Sequence, residues 1–141
     1  MSYRFLEEVA IADVAFEAEG QTLPEVFEAS ALALTEVMVD LDGLKPVLSR
    51  EISLTAGDLE SLLFRWLAEL IYLKDSECLL FRRFRIAIRQ ATEWELQATA
   101  WGEEIDYSQM SLRADVKAVT YHMFVLEQTR HGWRAQVVLD I

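Results

Sequence analysis

The sequence predicts an α+β domain, with two main helices set among mostly antiparallel strands. Three observations carry this. Two segments space their apolar residues three and four apart behind a good capping residue. Most other apolar residues alternate with polar ones in short runs separated by turn-forming residues. No repeat, low-complexity tract or linker interrupts the 141 residues, so residues 1–141 read as a single domain. At 52% hydrophobic residues, the chain is long and apolar enough to bury a substantial core.

The elements follow in order. Ala12–Glu19 alternates as a strand, with Val14, Phe16 and Ala18 on one side. Thr22-Leu-Pro-Glu25 opens the first helix: Thr22 caps, Glu25 reaches back, and Pro24 is tolerated in the first turn. Its apolar face is Leu23, Val26, Phe27, Ala31, Leu34, Val37 and Met38, and it stops near Val39, before Asp40-Leu-Asp-Gly43 and Pro46. Glu51–Thr55 is a short strand. Asp58 caps the second helix, whose stripe is Leu59, Leu62, Leu63, Trp66, Leu67, Leu70 and Ile71. Phe64 and Tyr72 fall off that stripe, which predicts cover on more than one side. Strands follow at Phe84–Arg89 and Trp94–Ala100, joined by a turn at Gln90–Glu93. Asp115–Glu127 is apolar on both faces and reads as a central strand. Gln128–Gly132 turns the chain into a last strand through Trp133, Ala135, Val137 and Leu139.

Thirteen Lys and Arg against 24 Asp and Glu give a net charge of −11. Phosphate neutralisation by Lys and Arg dominates nucleic-acid affinity, so no direct nucleic-acid binding is expected unless a local basic patch overrides the total. The one basic cluster is Arg82, Arg83, Arg85 and Arg89. An acidic surface suits a cation or a basic protein partner, and it also serves plain solubility. Cys78 is the single cysteine, which excludes an internal disulfide and a thiolate metal cluster and fits a reducing compartment. Leu59–Leu73 is broken by Glu60, Arg65 and Glu69, so it reads as a core helix rather than a membrane span. The expectation is a cytoplasmic protein without a membrane partner.

The chain carries little that resembles a catalytic motif. The glycines are scattered, no serine sits in a nucleophile elbow, and Cys78 has no histidine near it in sequence. Three polar residues stand out by position. Asp13 interrupts the apolar run Ile11-Ala-Asp-Val-Ala-Phe16, where a compensating partner or a strand end would account for it. Asp140 follows Val137-Val-Leu139 and precedes Ile141, so its carboxylate and a terminal one would be strand-tethered; a solvated end residue is the other reading. Such oxygens suit calcium or magnesium. Lys117 interrupts the long apolar run and must snorkel, pair with a carboxylate, or lie near a strand start. His122 reads as a hydrogen-bonded core histidine on the face opposite Lys117, and His131 as a solvated turn residue. Asp40 and Asp42 have the look of an acidic calcium loop but lack the EF-hand spacing, and they also serve to end the first helix.

A family resemblance sharpens these readings. Asp115-Val-Lys-Ala-Val-Thr-Tyr-His122, followed by Gly132-Trp133 and Val137-Val-Leu-Asp-Ile141, closely resembles the archease family. Ile11-Ala-Asp-Val-Ala-Phe16 resembles its first strand around an aspartate. Leu23 to Asp40 resembles its first helix with the closing Met38-Val-Asp40. Asp58-Leu-Glu-Ser-Leu-Leu63 with Trp66-Leu67 resembles its second helix, and Gly102-Glu-Glu104 its Gly-Glu element. The resemblance spans about residues 3 to 141 and implies an archease-like single domain. It also implies a protein cofactor of an RtcB-type RNA ligase in tRNA splicing and RNA repair, one that promotes ligase guanylylation and multiple turnover. By position it implies a divalent cation, calcium ahead of magnesium or manganese, at Asp13, Asp140 and the Ile141 carboxylate. Lys117 is the implied functional lysine, and Asp40 takes part in ligase activation. Two departures stand out: Ala10-Ile11 where many members have His-Thr, and Ser108-Gln-Met110 where many have a histidine. A cation site made of oxygens is what remains. No catalytic residue is expected. The alternative functions are a general chaperone or adaptor and a small metal-dependent hydrolase using Asp13, Asp140 and His122.

Overall fold

The computed structural model describes residues 1–6 and 13–141. Its elements run β1 (Ser2–Leu6), β2 (Asp13–Gly20), α1 (Leu23–Met38), β3 (Leu48–Ala56), α2 (Leu59–Glu77), β4 (Leu79–Gln90), β5 (Trp94–Glu104), β6 (Ala118–Thr129) and β7 (Gly132–Asp140), with a 3₁₀ turn at Leu41–Gly43 after α1. The strands form a four-stranded sheet, β1-β2-β7-β6, and a three-stranded sheet, β3-β5-β4. Every pairing is antiparallel. This is the α+β class that the alternating runs and the two helical runs predict.

The helices lie between the sheets, and each touches both. The caps are as read: Thr22 Oγ1 accepts from the Glu25 amide and Asp58 Oδ1 from the Ser61 amide. Cover is distributed differently from expectation. α1, predicted to bury one face, buries Ala29, Ser30, Ala33 and Thr35 as well as its stripe, because it is enclosed on both sides. Its small residues allow that enclosure, and its buried hydroxyls bond back to the carbonyls four residues earlier, at 2.8 Å for Ser30 and 2.9 Å for Thr35. α2 keeps an outward side where Tyr72 is 60% exposed. Phe64 is half-buried, stacked on Tyr121 at 3.8 Å between ring centroids. Trp66, fully buried, donates its Nε1–H to the Phe27 carbonyl at 3.1 Å and ties α2 to α1.

Three strand readings change. β1 carries no alternation that marks it as a strand; its short run holds Arg4, and it pairs along β2 as an edge strand. β4 begins at Leu79, ahead of the alternation at Phe84, and a register shift between Phe81 and Arg83 hides its first half. Gly102 sits opposite Phe81, where a Cβ would lie 1.8 Å from the Leu80 carbonyl oxygen, so the bulge requires glycine there. The third change is β6, which is the edge of its sheet rather than the centre. The interior strands are β2 and β7, and β7 buries Ala135, Val137, Val138 and Leu139. β6 begins only at Ala118, and between Thr120 and Val125 it leaves the β7 ladder in a wide bulge that holds Met123 at φ 53°. Its second apolar face comes from Tyr121 and Phe124 packing around Phe64.

Candidate functional site

The antiparallel pairing of β2 with β7 sets Asp13 directly opposite Asp140. Directly paired residues point to the same face, with Cα atoms about 4.5–5.5 Å apart. On the other side of β7, Asp140 pairs with Ala118, and the main chain of Lys117 donates its N–H to the Asp140 carbonyl at 2.8 Å. Residues remote in sequence therefore meet at one end of the four-stranded sheet: Asp13 at the start of β2, Asp140 at the end of β7 with Ile141 after it, and Lys117 just ahead of β6. Both aspartates are half-buried and Lys117 is exposed. Among the described residues, neither aspartate side chain has an ion pair or hydrogen bond. Like charges placed directly opposite on a sheet are destabilising, and a cation between them removes that cost. Among the described residues, no three His, Cys, Asp or Glu side chains gather as a metal cluster. The donor set is two carboxylates, supplemented by Ile141 and main-chain oxygens, which is the hard-oxygen chemistry of calcium, magnesium or manganese.

The Ala10-Ile11 position, where many archeases have His-Thr, lies outside the described residues. Ser108 to Met110 is exposed to half-buried, and Asp106 caps this loop by accepting from the Ser108 amide at 3.0 Å. Asp40 stands apart from the aspartate pair. Its Oδ1 accepts from the Asp42 amide at 3.1 Å and caps the 3₁₀ turn, while its own amide donates to the Ser111 carbonyl at 3.0 Å. The first helix already ends at Met38 with Val39 as its cap, so Asp40 starts the next turn rather than ending the helix. His122 is exposed in the β6 bulge, so it is not a core histidine, and the strand alternation that set it opposite Lys117 does not operate there. His131 is exposed at the turn before β7.

One group escapes a reading by sequence. Lys74, in the last turn of α2, is 7% exposed. Its ammonium donates to Asp115 Oδ1 at 2.5 Å and to the Val116 carbonyl at 2.7 Å, and pairs with Asp75 Oδ1 at 2.9 Å. Burial pulls its pKa down, but the hydrogen bonds and charges of Asp115 and Asp75 outweigh that and hold it above the ordinary lysine value. Lys74 thereby pins the two residues just before Lys117 and floors a cleft of about 400 Å³ that Cys78, Tyr107 and Arg113 also line. A signal is present in the sequence: Lys74 continues the α2 stripe, three and four residues beyond Ile71 and Leu70.

Known proteins share both the sequence and the fold of this chain. It matches the profile of the Archease protein family (MTH1598/TM1083) over residues 3–141. It is 42% identical to protein archease of Methanosarcina barkeri over 141 residues, covering 99% of this chain and 95% of that protein. The solution structure of Methanobacterium thermoautotrophicum protein 1598 superposes with a TM-score of 0.83 at 35% identity, covering 99% of this chain and 98% of that one. The crystal structure of a Thermotoga maritima archease, described as a possible chaperone, shares the fold with a TM-score of 0.64 at 21% identity, over 94% and 93% of the two chains. This protein belongs to the archease family.

Proposed function

We propose that this archease is a non-enzymatic, cation-binding protein cofactor of an RtcB-type RNA ligase, promoting ligase guanylylation and multiple turnover in tRNA splicing or RNA repair. The observation that carries the reading is the pairing of Asp13 with Asp140 beside the Lys117 main chain. Two half-buried carboxylates with no cationic side chain paired to them, among the described residues, form a hard-oxygen half-site. Calcium takes six to eight oxygens, so the Ile141 carboxylate, main-chain carbonyls and the partner's own oxygens would complete it. Bound there, the cation supplies positive charge for a phosphate or carboxylate of the ligase–nucleotide complex. Asp13 and Asp140 hold and orient it. Lys117, whose main chain joins the Asp140 carbonyl, orients those carboxylates or meets the ligase or its nucleotide. Asp40 acts at more distance, through the loop at Ser111 that its amide anchors. The acidic surface, at −11 overall, steers the protein to a basic region of the ligase.

The test is to follow ligase–GMP formation over time with the cognate ligase in excess over this protein. Faster formation and repeated ligation are expected; no acceleration under multiple-turnover conditions contradicts the proposal. One observation favours a chaperone or adaptor as the second reading: Tyr121 and Met123 stand 67% and 52% exposed around the Phe64–Phe124 contact. Suppression of aggregation of unrelated clients, unaffected by Asp13→Asn, would select that reading.

A further inference from the structure

The outward face of the three-stranded sheet differs in chemistry from the rest of this acidic molecule. Along β4, Arg83, Arg85, Ala87 and Arg89 point out while Phe84, Ile86 and Ile88 turn toward the core. Across the ladder stand Trp101 opposite Arg83, Thr99 opposite Arg85, Gln97 opposite Ala87 and Glu95 opposite Arg89. β3 adds Ser49, Glu51 and Ser53 on the same face. Two acids lie among them, and both are engaged: Glu95 binds Arg89 at 2.6 Å, and Glu51 accepts from Thr99 Oγ1 at 2.9 Å. Arg83 and Arg85 have no carboxylate partner among the described residues. Instead both guanidiniums lie over one indole, 5.1 and 5.8 Å from the Trp101 ring. Two like charges therefore converge on one ring, held by cation–π attraction and open to solvent. A depression of about 240 Å³ beside Arg85, lined also by Glu51, Ala87, Gln97, Ala98 and Thr99, continues the face; Glu51 is the one acid in it and is hydrogen-bonded to Thr99.

We infer that this face binds single-stranded RNA, with Arg83 and Arg85 forking a backbone phosphate over Trp101. The charge complements a polyanion. Guanidinium planes stacked on an aromatic ring offer bases a surface, and the hydroxyls and amides of Ser49, Ser53, Gln97 and Thr99 suit 2′-hydroxyls and base edges. An exposed sheet presenting Arg, an aromatic ring and small polar side chains is a recurrent platform for unpaired nucleotides. The whole-chain charge speaks against RNA, but fields are screened over about 10 Å at 0.1 M salt, and the four-stranded sheet lies beyond the helix layer. The face is distinct from the Asp13–Asp140 end and does not depend on the ligase reading.

The test is fluorescence anisotropy of a short labelled oligouridylate against the full chain and the double variant Arg83→Gln/Arg85→Gln, with Arg130→Gln as control. All three sites are exposed, so the fold should survive, and circular dichroism checks it. Wild type and the control should bind alike at about 0.1 M salt, where the rest of the acidic surface is screened. The double variant should bind about tenfold more weakly, with the slope of log affinity against log salt reduced by about 0.7, the share of the one single-strand phosphate that the two arginines fork. No binding by wild type, equal binding by the double variant, or equal competition by an acidic peptide of matched charge would each overturn the inference.

Discussion

Asp13 and Asp140 show how much a single position in a sequence can signal. An aspartate inside an apolar run is disfavoured in a strand, and here the register places it against a second aspartate rather than a cation. The expectation is specific. Asp13→Asn relieves a like-charge contact, so the metal-free variant should be as stable as wild type or more stable, by up to about 1 kcal/mol. Calcium at about a hundredfold above its dissociation constant should stabilise wild type by about 2.7 kcal/mol and the variant much less. Thermal melts with and without calcium check this, and equal gains in both proteins would remove Asp13 from the site. Lys74 makes the opposite point. The α2 stripe hints that Lys74 is buried, but nothing local announces its bonds to Asp115 and Val116, because these partners are about forty residues away and only the fold brings them near. Lys74→Met should loosen the run into Lys117. It should lower ligase activation less than Lys117→Ala does, because it acts by positioning, and the two variants compared in the same assay check that order.

At the scale of elements, most of the architecture is legible in the sequence. The capping residues and three-four spacing locate both helices, and turn chemistry locates the β4–β5 and β6–β7 connections. What escapes depends on pairing. β1 is five residues with a charge in the middle, and it becomes a strand only because β2 offers an edge. β6 reads as central because both its faces are apolar, yet Tyr121 and Phe124 use their apolar surface against one α2 side chain, which periodicity cannot reveal. The site is legible in part: the aspartates and Lys117 stand out by type and by resemblance, but their meeting is a matter of register between β2, β7 and β6. Two substitutions probe the elements. Trp66→Ala should cost about 3–5 kcal/mol in urea unfolding, since the ring is fully buried between the helices and the sheet. Gly102→Ala should cost about 2–3 kcal/mol or prevent folding, because the colliding atom is backbone and cannot swing aside. A near-neutral result for either would contradict the packing described.

Across the whole molecule, charge decides how stability responds to pH. Burial alone would push the Glu17 carboxyl up, but the hydrogen bonds and charge of Arg134 outweigh it and hold the group below the ordinary carboxylate value. Bonds to the Ser61 amide likewise lower Asp58. In both cases the unfolded chain takes up the proton first. The stabilisation is therefore complete above the usual carboxylate range and is lost as pH falls through the lower, folded values. Glu28, raised by burial beside Glu25, works in the opposite sense. Arg134→Ala should flatten the acid limb of stability against pH, and a series of urea melts from neutral to acid pH reads this directly; an unchanged limb would show that the Glu17–Arg134 pair is not what links folding to protons. No helix among the described residues is long and apolar enough to cross a membrane. The same acidic surface should make association with a basic ligase region weaken as salt rises. The sharpest test is the aspartate pair in action: ligase–GMP formation under multiple turnover, with wild type and with a folded Asp140→Ala variant. Wild type should accelerate guanylylation, and the variant should lose most of that acceleration. Equal acceleration by both proteins would remove the aspartate pair from ligase activation.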